Sequence, residues 1–376
     1  MELIFQSVVY RINRGLKSVK HKRLKSYYEE MNKNTPISLL TLSVFLILTT
    51  AIFSCKKDEE RMVPVLSTLP ATFITRTSAC TGDAIISQGS DTILTDGICW
   101  GTKPDPNVES SLISLNARLD DLSPNTTYYI RAFATNSAGT GYGNQVSFTT
   151  KPANVSHLFN PDVTYDTVTD IDGNIYKTVE IGTQVWMAEN LKTSRFNDGT
   201  EIPYINDPIF NLEPGFCWYK KNESIFKDIY GGYYNWFAVN MGKLCPAGWH
   251  VPTDNEWKVL EEFIGISQAD ADMMGCRGTT QGLMIREPGT ENWVDESISA
   301  SNASGFTGLP GGSCGFFMED FSCGGEGIIA MWWTDTELNT DPGSWGYMRW
   351  ILWDGSCIQR SELEKKAAIN VRCIKD

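Results

Sequence analysis

The feature that most constrains this chain is an uncharged apolar segment, Ile37 to Ser54, which is followed directly by Cys55 and two lysines. A segment of this kind targets or anchors a protein and is set aside before any soluble fold is considered. The residues before it carry more basic than acidic side chains. Because a positively charged flank stays inside, everything after Cys55 is expected to fold on the far side of a membrane.

Two interpretations of this segment remain open. Residues 31–54 resemble a bacterial lipoprotein signal peptide, which would leave Cys55 as the lipid anchor and residues 1–30 as a non-native N-terminal extension. The alternative is a single N-terminal membrane helix, since eighteen apolar residues can just cross a core of about 30 Å. Residues 55–62 then form an acidic tether, which resembles the tags of lipoproteins displayed at the outer membrane or cell surface.

The charge of the chain limits its partners. It has 45 acidic and 32 basic residues, a net charge of −13 at pH 7. Such acidity opposes binding to a phosphate backbone, so nucleic acid is not an expected partner. Calcium is the one partner that the acidity favours. The membrane, through the lipid anchor, is the other expected contact.

The chain contains ten cysteines, and its predicted location is oxidising. Disulfides are therefore favoured over reduced thiols. Zinc is disfavoured because only His157 and His250 follow Cys55 and no Cys-x-x-Cys pair is present.

Residues 63–150 consist of short alternating apolar stretches separated by turns, which predicts an all-β sandwich. The run from Leu122 to Tyr128, LSPNTTY, resembles the corner of fibronectin type III domains. In that corner the tyrosine hydroxyl bonds to the backbone before the next strand. We expect Cys80 and Cys99 to lie on neighbouring strands of this module and to form a disulfide.

Residues 151–164 are a polar linker, and the second domain spans 165–376. Several motifs occur in order within it: DGNIY at 172–176, QVWMAENL at 184–191, LCPAGWHVP at 244–252, GFTGLPGG at 305–312, WWT at 332–334 and VRC at 371–373. Together they resemble the Fibrobacter succinogenes major paralogous domain family, over nearly the whole of 166–376. The resemblance implies an α+β fold of the C-type-lectin-like kind with long loops, which formylglycine-generating enzymes also use. It further implies a disulfide between Cys245 and Cys373, and it implies no activity.

Local signals agree with a mixed α+β domain. Thr253 and Glu256 are spaced as a capping box, which predicts a helix with Trp257, Leu260, Phe263 and Ile264 on one buried face. A second helix is predicted from Tyr233 to Val239. Asp254 and Glu256 are interpreted as caps rather than as catalytic acids.

No catalytic constellation is recognisable. His250 lies between two apolar residues and is interpreted as a structural hydrogen-bonding group, whereas His157 falls in the linker. The acidic run 170–174, DIDGN, has the oxygen spacing of a calcium loop, but Asp-Gly between apolar residues favours a hairpin turn. The sequence therefore predicts a protein that is not an enzyme.

The remaining candidate site residues lie between Cys314 and Asp354. Cys314 and Cys323 flank a glycine-rich loop and are expected to form a disulfide of about 2–3 kcal/mol; the alternative is a reactive, copper-binding pair. The candidate ligand-binding residues are Trp332, Trp333, Asp335, Glu337 and Trp345, and a weak calcium site is predicted at Asp335, Glu337 and Asp354. Burial of Trp332 and Trp333 in the core is the competing interpretation.

The leading hypothesis is a surface-displayed module that binds a glycan or a protein through the loop region from Cys314 to Trp345, with the sandwich as a spacer. An envelope scaffold ranks second and a formylglycine-generating-type oxidase third.

Overall fold

A computed structural model describes residues 61–114, 118–153, 157–206, 212–289, 291–295, 297–317, 320–338 and 344–376. The apolar segment, Cys55 and most of the tether lie outside these residues. Met62–Asp376 form one compact unit, which is mostly β-sheet with a few short helices. No helix in the described ranges is long and apolar enough to span a bilayer.

The N-terminal part of this unit, the first module, is built from antiparallel strands. They are β1 Val65–Thr68, β2 Ala79–Cys80, β3 Asp83–Ser87, β4 Thr95–Gly101, β5 Ser111–Ile113, β6 Arg118–Leu119, β7 Thr127–Asn136, β8 Gly139–Tyr142 and β9 Val146–Thr149. The central sheet has the order β5-β4-β7-β8, with β9 also paired to β7, whereas β1 pairs with β3 and β2 with β6. Its core contains Ile98, Leu122 and Ile130.

The tyrosine corner expected from the sequence has the expected hydrogen bond. The Tyr128 hydroxyl accepts a hydrogen bond from the backbone N–H of Ser123, with 2.9 Å between the two atoms. The bond holds the chain at the entry to β7.

The predicted disulfide between Cys80 and Cys99 is wrong, because both are free thiols. Cys80 lies on β2, which pairs with β6, whereas Cys99 lies on β4, which pairs with β5 and β7. The prediction required the two cysteines to lie on adjacent paired strands, and they do not.

The rest of the compact unit, from residue 165 onward and called the second domain here, contains three sheets in the part that the structure describes. Its strands are β10 Asp166–Thr169, β11 Ile175–Ile181, β12 Gln184–Met187, β13 Phe216–Cys217, β14 Tyr233–Asn235, β15 Trp249–His250, β16 Gly275–Arg277, β17 Ser313–Phe317, β18 Asp320–Gly324, β19 Ile329–Glu337, β20 Trp345–Leu352, β21 Ile358–Glu364, β22 Ala368–Ile369 and β23 Ile374–Lys375. The strand orders are β10-β11-β12-β23-β15, β13-β14-β22-β17-β18 and β16-β21-β20-β19. The hairpin interpretation of 170–174 agrees with the antiparallel pairing of β10 and β11 on either side of it.

Short helices connect these sheets. They are α1 Glu223–Tyr230, α2 Trp236–Val239, α3 Asp254–Phe263, α4 Gln268–Ala271 and α5 Gln281–Ile285, with a 3-10 helix at Tyr219–Lys221. The helix predicted from Tyr233 is therefore shorter, because its first residues form β14 and pair with β13 and β22.

The capping box that opens α3 is confirmed. The Thr253 hydroxyl accepts from the N–H of Glu256, and the Glu256 carboxylate accepts from the N–H of Thr253. Trp257 and Leu260 are buried as predicted, but Phe263 is 62% exposed. It lies over Gly182, where a β-carbon would approach the Phe263 ring to 2.9 Å. Phe263 therefore covers a turn at the surface instead of entering the core.

Three disulfides brace the second domain: Cys245–Cys373, Cys276–Cys357 and Cys314–Cys323. The first and third were expected from the sequence, and the second was not. Cys314 and Cys323 face each other directly in the hairpin of β17 and β18. Cys217 is a buried free thiol whose pKa is raised by burial to about 12. A thiol held in this protonated form is unreactive.

Candidate functional site

Trp332 and Trp333 were candidate ligand-binding residues, but both side chains are 0% exposed. The indole N–H of Trp332 donates to Asn190 Oδ1 at 3.0 Å, and that of Trp333 donates to the backbone oxygen of Tyr234 at 2.8 Å. Trp332 also packs edge-on against Phe306, with 5.2 Å between ring centroids. Both residues form the core, so the prediction that they contact a ligand is wrong.

The predicted calcium site is also not assembled. Glu337 pairs in register with Gly346, whereas Ile329, at the other end of β19, pairs with Leu352. Asp354 follows Leu352 and therefore lies at the opposite end of the β19–β20 pair from Glu337, roughly 20 Å away at about 3.3 Å per residue. Within the ranges that the structure describes, no three His, Cys, Asp or Glu side chains are grouped to hold a metal ion.

Each of these carboxylates has another local role. Glu337 Oε1 lies 2.5 Å from the ammonium of Lys365. Asp335 Oδ1 accepts from the Thr336 hydroxyl at 3.2 Å, and burial raises the pKa of the Asp335 carboxyl. Asp354 Oδ1 accepts from the N–H of Ser356 and shapes the turn between β20 and β21.

Trp345, the last predicted contact residue, lines a groove. The groove, hereafter the Trp345 groove, has a volume of about 300 Å³ and is lined by Leu212, Phe237, Ser344, Trp345, Glu364, Lys365 and Lys366. Trp345 and Phe237 are half-buried, whereas Leu212 is largely exposed. The groove thus combines apolar rings with charged groups of both signs, as ligand pockets of this size commonly do.

Backbone pairing sets the positions of these groups. Trp345 begins β20 and lies opposite Glu364 on β21, and the N–H of Lys365 donates to the oxygen of Ser344 at 3.0 Å. These pairings hold Trp345 and Glu364 on two adjacent strands and place Lys365 directly after the second strand. A site on strands is held more precisely than one on a loop.

The two lysines of the groove differ in environment. Lys365 is buried, and its ammonium lies 4.1 Å from the centroid of the Trp236 ring as well as against Glu337. Lys366 lies at the rim, 2.8 Å from the Glu364 carboxylate. Lys365 therefore supports the floor of the groove, while Lys366 and Glu364 present hydrogen-bonding groups at its edge.

A second groove was not foreseen from the sequence. It has a volume of about 530 Å³ and is lined by Ser194, Tyr204, Asn206, Phe216, Trp218, Lys221 and Glu223. Phe216 packs edge-on between Tyr204 and Trp218, with centroid distances of 5.5 and 5.3 Å. Phe216 and Trp218 are close neighbours along the chain, but the sequence does not indicate that Tyr204 lies beside them.

His250 is a structural group, as interpreted from the sequence. Its Nδ1 lies 2.7 Å from Asp376 Oδ1, and its Nε2 lies 2.9 Å from Glu256 Oε1. Both ring nitrogens are occupied by carboxylates, so the ring links β15 to the start of α3.

The fold and these grooves define a disulfide-braced, β-rich domain whose surface carries aromatic grooves. The family model for the Fibrobacter succinogenes major domain matches residues 179–375, and the chain belongs to this family. The match covers all three disulfides and both grooves. No curated protein matches the chain.

Proposed function

We propose that this protein is a non-enzymatic lipoprotein, displayed outside the cell on a lipid attached to Cys55, that binds a glycan in the Trp345 groove. The first module is fibronectin type III-like, which the Tyr128 corner and the β4–β7 sheet support. The second is C-type-lectin-like, with the Cys245–Cys373 bridge that the resemblance implied.

The observation that carries the binding proposal is the composition of the Trp345 groove. A half-buried indole offers an apolar face to a sugar ring, and Lys366, Glu364 and Ser344 offer donors and acceptors for hydroxyl groups. Trp345 and Glu364 are held on paired strands, so their backbone need not be ordered on binding. Because Asp354 lies at the opposite end of the β19–β20 pair from Glu337, the proposed binding does not use the predicted calcium site.

The test uses residues 56–376, which contain the compact unit Met62–Asp376, produced under oxidising conditions. A glycan array is probed with the wild type and with Trp345→Ala, and thermal unfolding of both proteins is measured. We expect saturable binding by the wild type and its loss in Trp345→Ala at an unchanged Tm. Trp345→Phe is the matched variant and should retain part of the signal, because it keeps an aromatic face.

Further outcomes separate the alternatives. Loss of binding in Tyr204→Ala but not in Trp345→Ala would move the site to the second groove. No glycan bound by a folded, disulfide-intact sample would contradict the glycan proposal and favour an envelope scaffold or a protein ligand. Addition of calcium chelator should leave both the signal and the Tm unchanged.

The oxidase alternative predicts copper-dependent turnover that is lost when Cys314 or Cys323 is replaced. These two sulfurs are bonded to each other. Ligation of copper by both would first require reduction of the bridge.

The anchor is tested separately from the ligand. Labelled fatty acid is expected to be incorporated into the full chain and not into Cys55→Ser. Incorporation by neither, together with membrane retention of both, would favour the single membrane helix.

A further inference from the structure

We propose that the second domain contains a guanidinium-binding site, formed by Tyr230, Asn292 and Glu326, and that Arg76 of the first module fills this site within the same chain. Arg76 precedes the family match at 179–375, whereas the three receiving residues lie inside it. The site would take an arginine side chain or a small guanidinium ion.

The contacts of Arg76 define the site. Its side chain is 1% exposed, one Nη donates to the Tyr230 hydroxyl at 2.9 Å, and the other donates to Asn292 Oδ1. Its Nη1 lies 3.7 Å from Glu326 Oε1. The guanidinium carbon also lies 5.6 Å from the centroid of the Tyr230 ring, within the range of a cation–π contact.

Two of the receiving residues, Asn292 and Tyr230, have partners outside the first module. Asn292 donates from Nδ2 to Glu287 Oε2 at 2.6 Å, which leaves its carbonyl oxygen directed to Arg76. Glu287 in turn accepts from the N–H of Leu158 at 2.8 Å. The backbone oxygen of Tyr230 accepts from Asn190 and from Asn370, each at 2.9 Å. Groups fixed in this way are arranged before a ligand arrives, which favours binding.

The carboxylate of Glu326 is fully buried. One of its oxygens faces the guanidinium of Arg76, and the other accepts hydrogen bonds from two hydroxyl groups. Oε1 faces Arg76, whereas Oε2 accepts from the hydroxyls of Thr75 and Thr77 at 2.9 and 3.1 Å. A buried carboxylate without a cation is strongly unfavourable. Glu326 therefore requires a positive partner, and in this structure the first module supplies it.

The Arg76 contact is one of several polar contacts between the two modules. Lys151 adds a hydrogen bond from its ammonium to the backbone oxygen of Trp293 at 2.7 Å, and the Lys220 ammonium lies 2.9 Å from Asp120 Oδ1. The first module is thus docked on the second by buried and peripheral polar contacts.

Chemical rescue tests the site. In residues 56–376, Arg76→Ala removes the side chain and should lower the Tm by several degrees. Millimolar ethylguanidinium chloride should then raise the Tm of Arg76→Ala saturably, because a ligand that binds only the folded state stabilises it. Ethylammonium chloride at equal concentration should have a much smaller effect, since it lacks the planar set of donors.

Two controls accompany this measurement. The wild type has the site filled, and Arg131→Ala removes an arginine that lies 4.8 Å from the Tyr142 ring, a residue of the first module. Neither should gain stability from ethylguanidinium. The double variant Arg76→Ala with Glu326→Gln should lose the rescue, because the carboxylate that selects a cation is gone.

Equal Tm shifts in the wild type, Arg131→Ala and Arg76→Ala would overturn the proposal. No shift in Arg76→Ala would also overturn it. If Arg76→Ala does not fold, refolding yield is measured with and without ethylguanidinium. Recovery of folded protein only with the guanidinium ion would support the site, and equal yields would overturn it.

Discussion

Asp254 and Arg360 are joined by two parallel hydrogen bonds inside the second domain, Nε to Oδ1 at 2.9 Å and Nη2 to Oδ2 at 2.8 Å. The same carboxylate accepts from Arg349 Nη1 at 2.8 Å. Arg349 and Arg277 share Glu261, which is also fully buried. The start of α3 is thus fixed to β20 and β21 by a buried ionic cluster.

We expect Asp254→Ala to lower the free energy of unfolding by about 3–5 kcal/mol, because it leaves two buried guanidinium groups without this partner. Urea denaturation of the variant measures the loss. Asp162→Ala, at an exposed aspartate of the linker, is the control and should change little. Similar midpoints for all three proteins would show that the cluster contributes no net stability.

The cluster should also make stability depend on acid. Burial alone would raise the pKa of Asp254, but hydrogen bonds from Arg360 and Arg349 outweigh it and lower the pKa to about 2. A carboxyl with a lowered folded-state pKa adds stability that is present above its unfolded pKa of about 3.9 and is lost as pH falls towards about 2. The difference in unfolding free energy between wild type and Asp254→Asn should therefore shrink below about pH 4. A difference that is constant down to pH 2 would contradict this assignment.

The stability that His250 contributes should depend on pH in the opposite direction. Burial lowers the pKa of His250, but the carboxylates of Asp376 and Glu256 raise it by more. The net shift of the pKa is therefore upward. The resulting stability is fully present below the unfolded pKa of about 6.5 and is lost as pH rises through the higher folded-state value. We expect His250→Gln to be less stable than the wild type at about pH 5–6 and to approach it in alkaline buffer. NMR titration of the ring protons measures the pKa directly, and a folded-state value below 6.5 would contradict the prediction.

The stability lost when a disulfide is removed should increase with the length of chain that the disulfide closes. Cys245–Cys373 spans 128 residues, Cys276–Cys357 spans 81 and Cys314–Cys323 spans 9. Loop-closure entropy gives about 4–5 kcal/mol for each long bridge and about 2.5–3 kcal/mol for the short one. Paired Cys→Ser variants, compared by denaturant unfolding, test this order. Cys80→Ser, at a free cysteine, is the control and should cost least.

Gly346→Ala should destabilise the protein and distort the Trp345 groove. A β-carbon at this position would lie 2.6 Å from Cδ1 of Trp236, whose ring supports Lys365. Overpacking of this kind costs about 1–3 kcal/mol. Gly101→Ala is the matched control, since a β-carbon there meets nothing within 4 Å. Equal Tm values for the two variants would show that Trp236 moves aside without cost.

Features with a short-range physical cause were predictable from the sequence. The capping box of α3 depends on two residues three positions apart, and the hairpin at 170–174 depends on Asp-Gly between apolar residues. The positions of Trp332 and Trp333 were harder to predict, because an indole suits both a core and a binding surface. Only the surrounding chain determines which of the two it joins. Asn190 and Tyr234, which bond the two indoles, are far away in sequence.

The candidate site was predictable only in part. Trp345 was a candidate contact residue from the sequence and lines the groove, whereas Lys365 and Phe237 reach it through strand pairing and helix placement that no local pattern indicates. Cys276–Cys357 joins β16 to the turn before β21, and its cysteines have no distinctive neighbours. Arg76 lies in a polar run, TRTS, in which no local pattern indicates that the arginine is buried. Its burial depends on Glu326, 250 positions away, which the sequence alone does not place opposite it.

The position of β23 has a consequence for how the chain matures. This strand lies between β12 and β15, and the neighbouring Cys373 closes the bridge to Cys245. During synthesis β12 and β15 emerge long before β23, so until the later strand arrives β12 has only β11 as a neighbour and β15 has no neighbour in this sheet. Until then the domain holds unpaired strand edges and an unoxidised Cys245, which are the features that folding helpers and thiol oxidases engage. The order of the strands thus makes completion of this domain a late event, and a ribosome that stops early would release a product open to quality control.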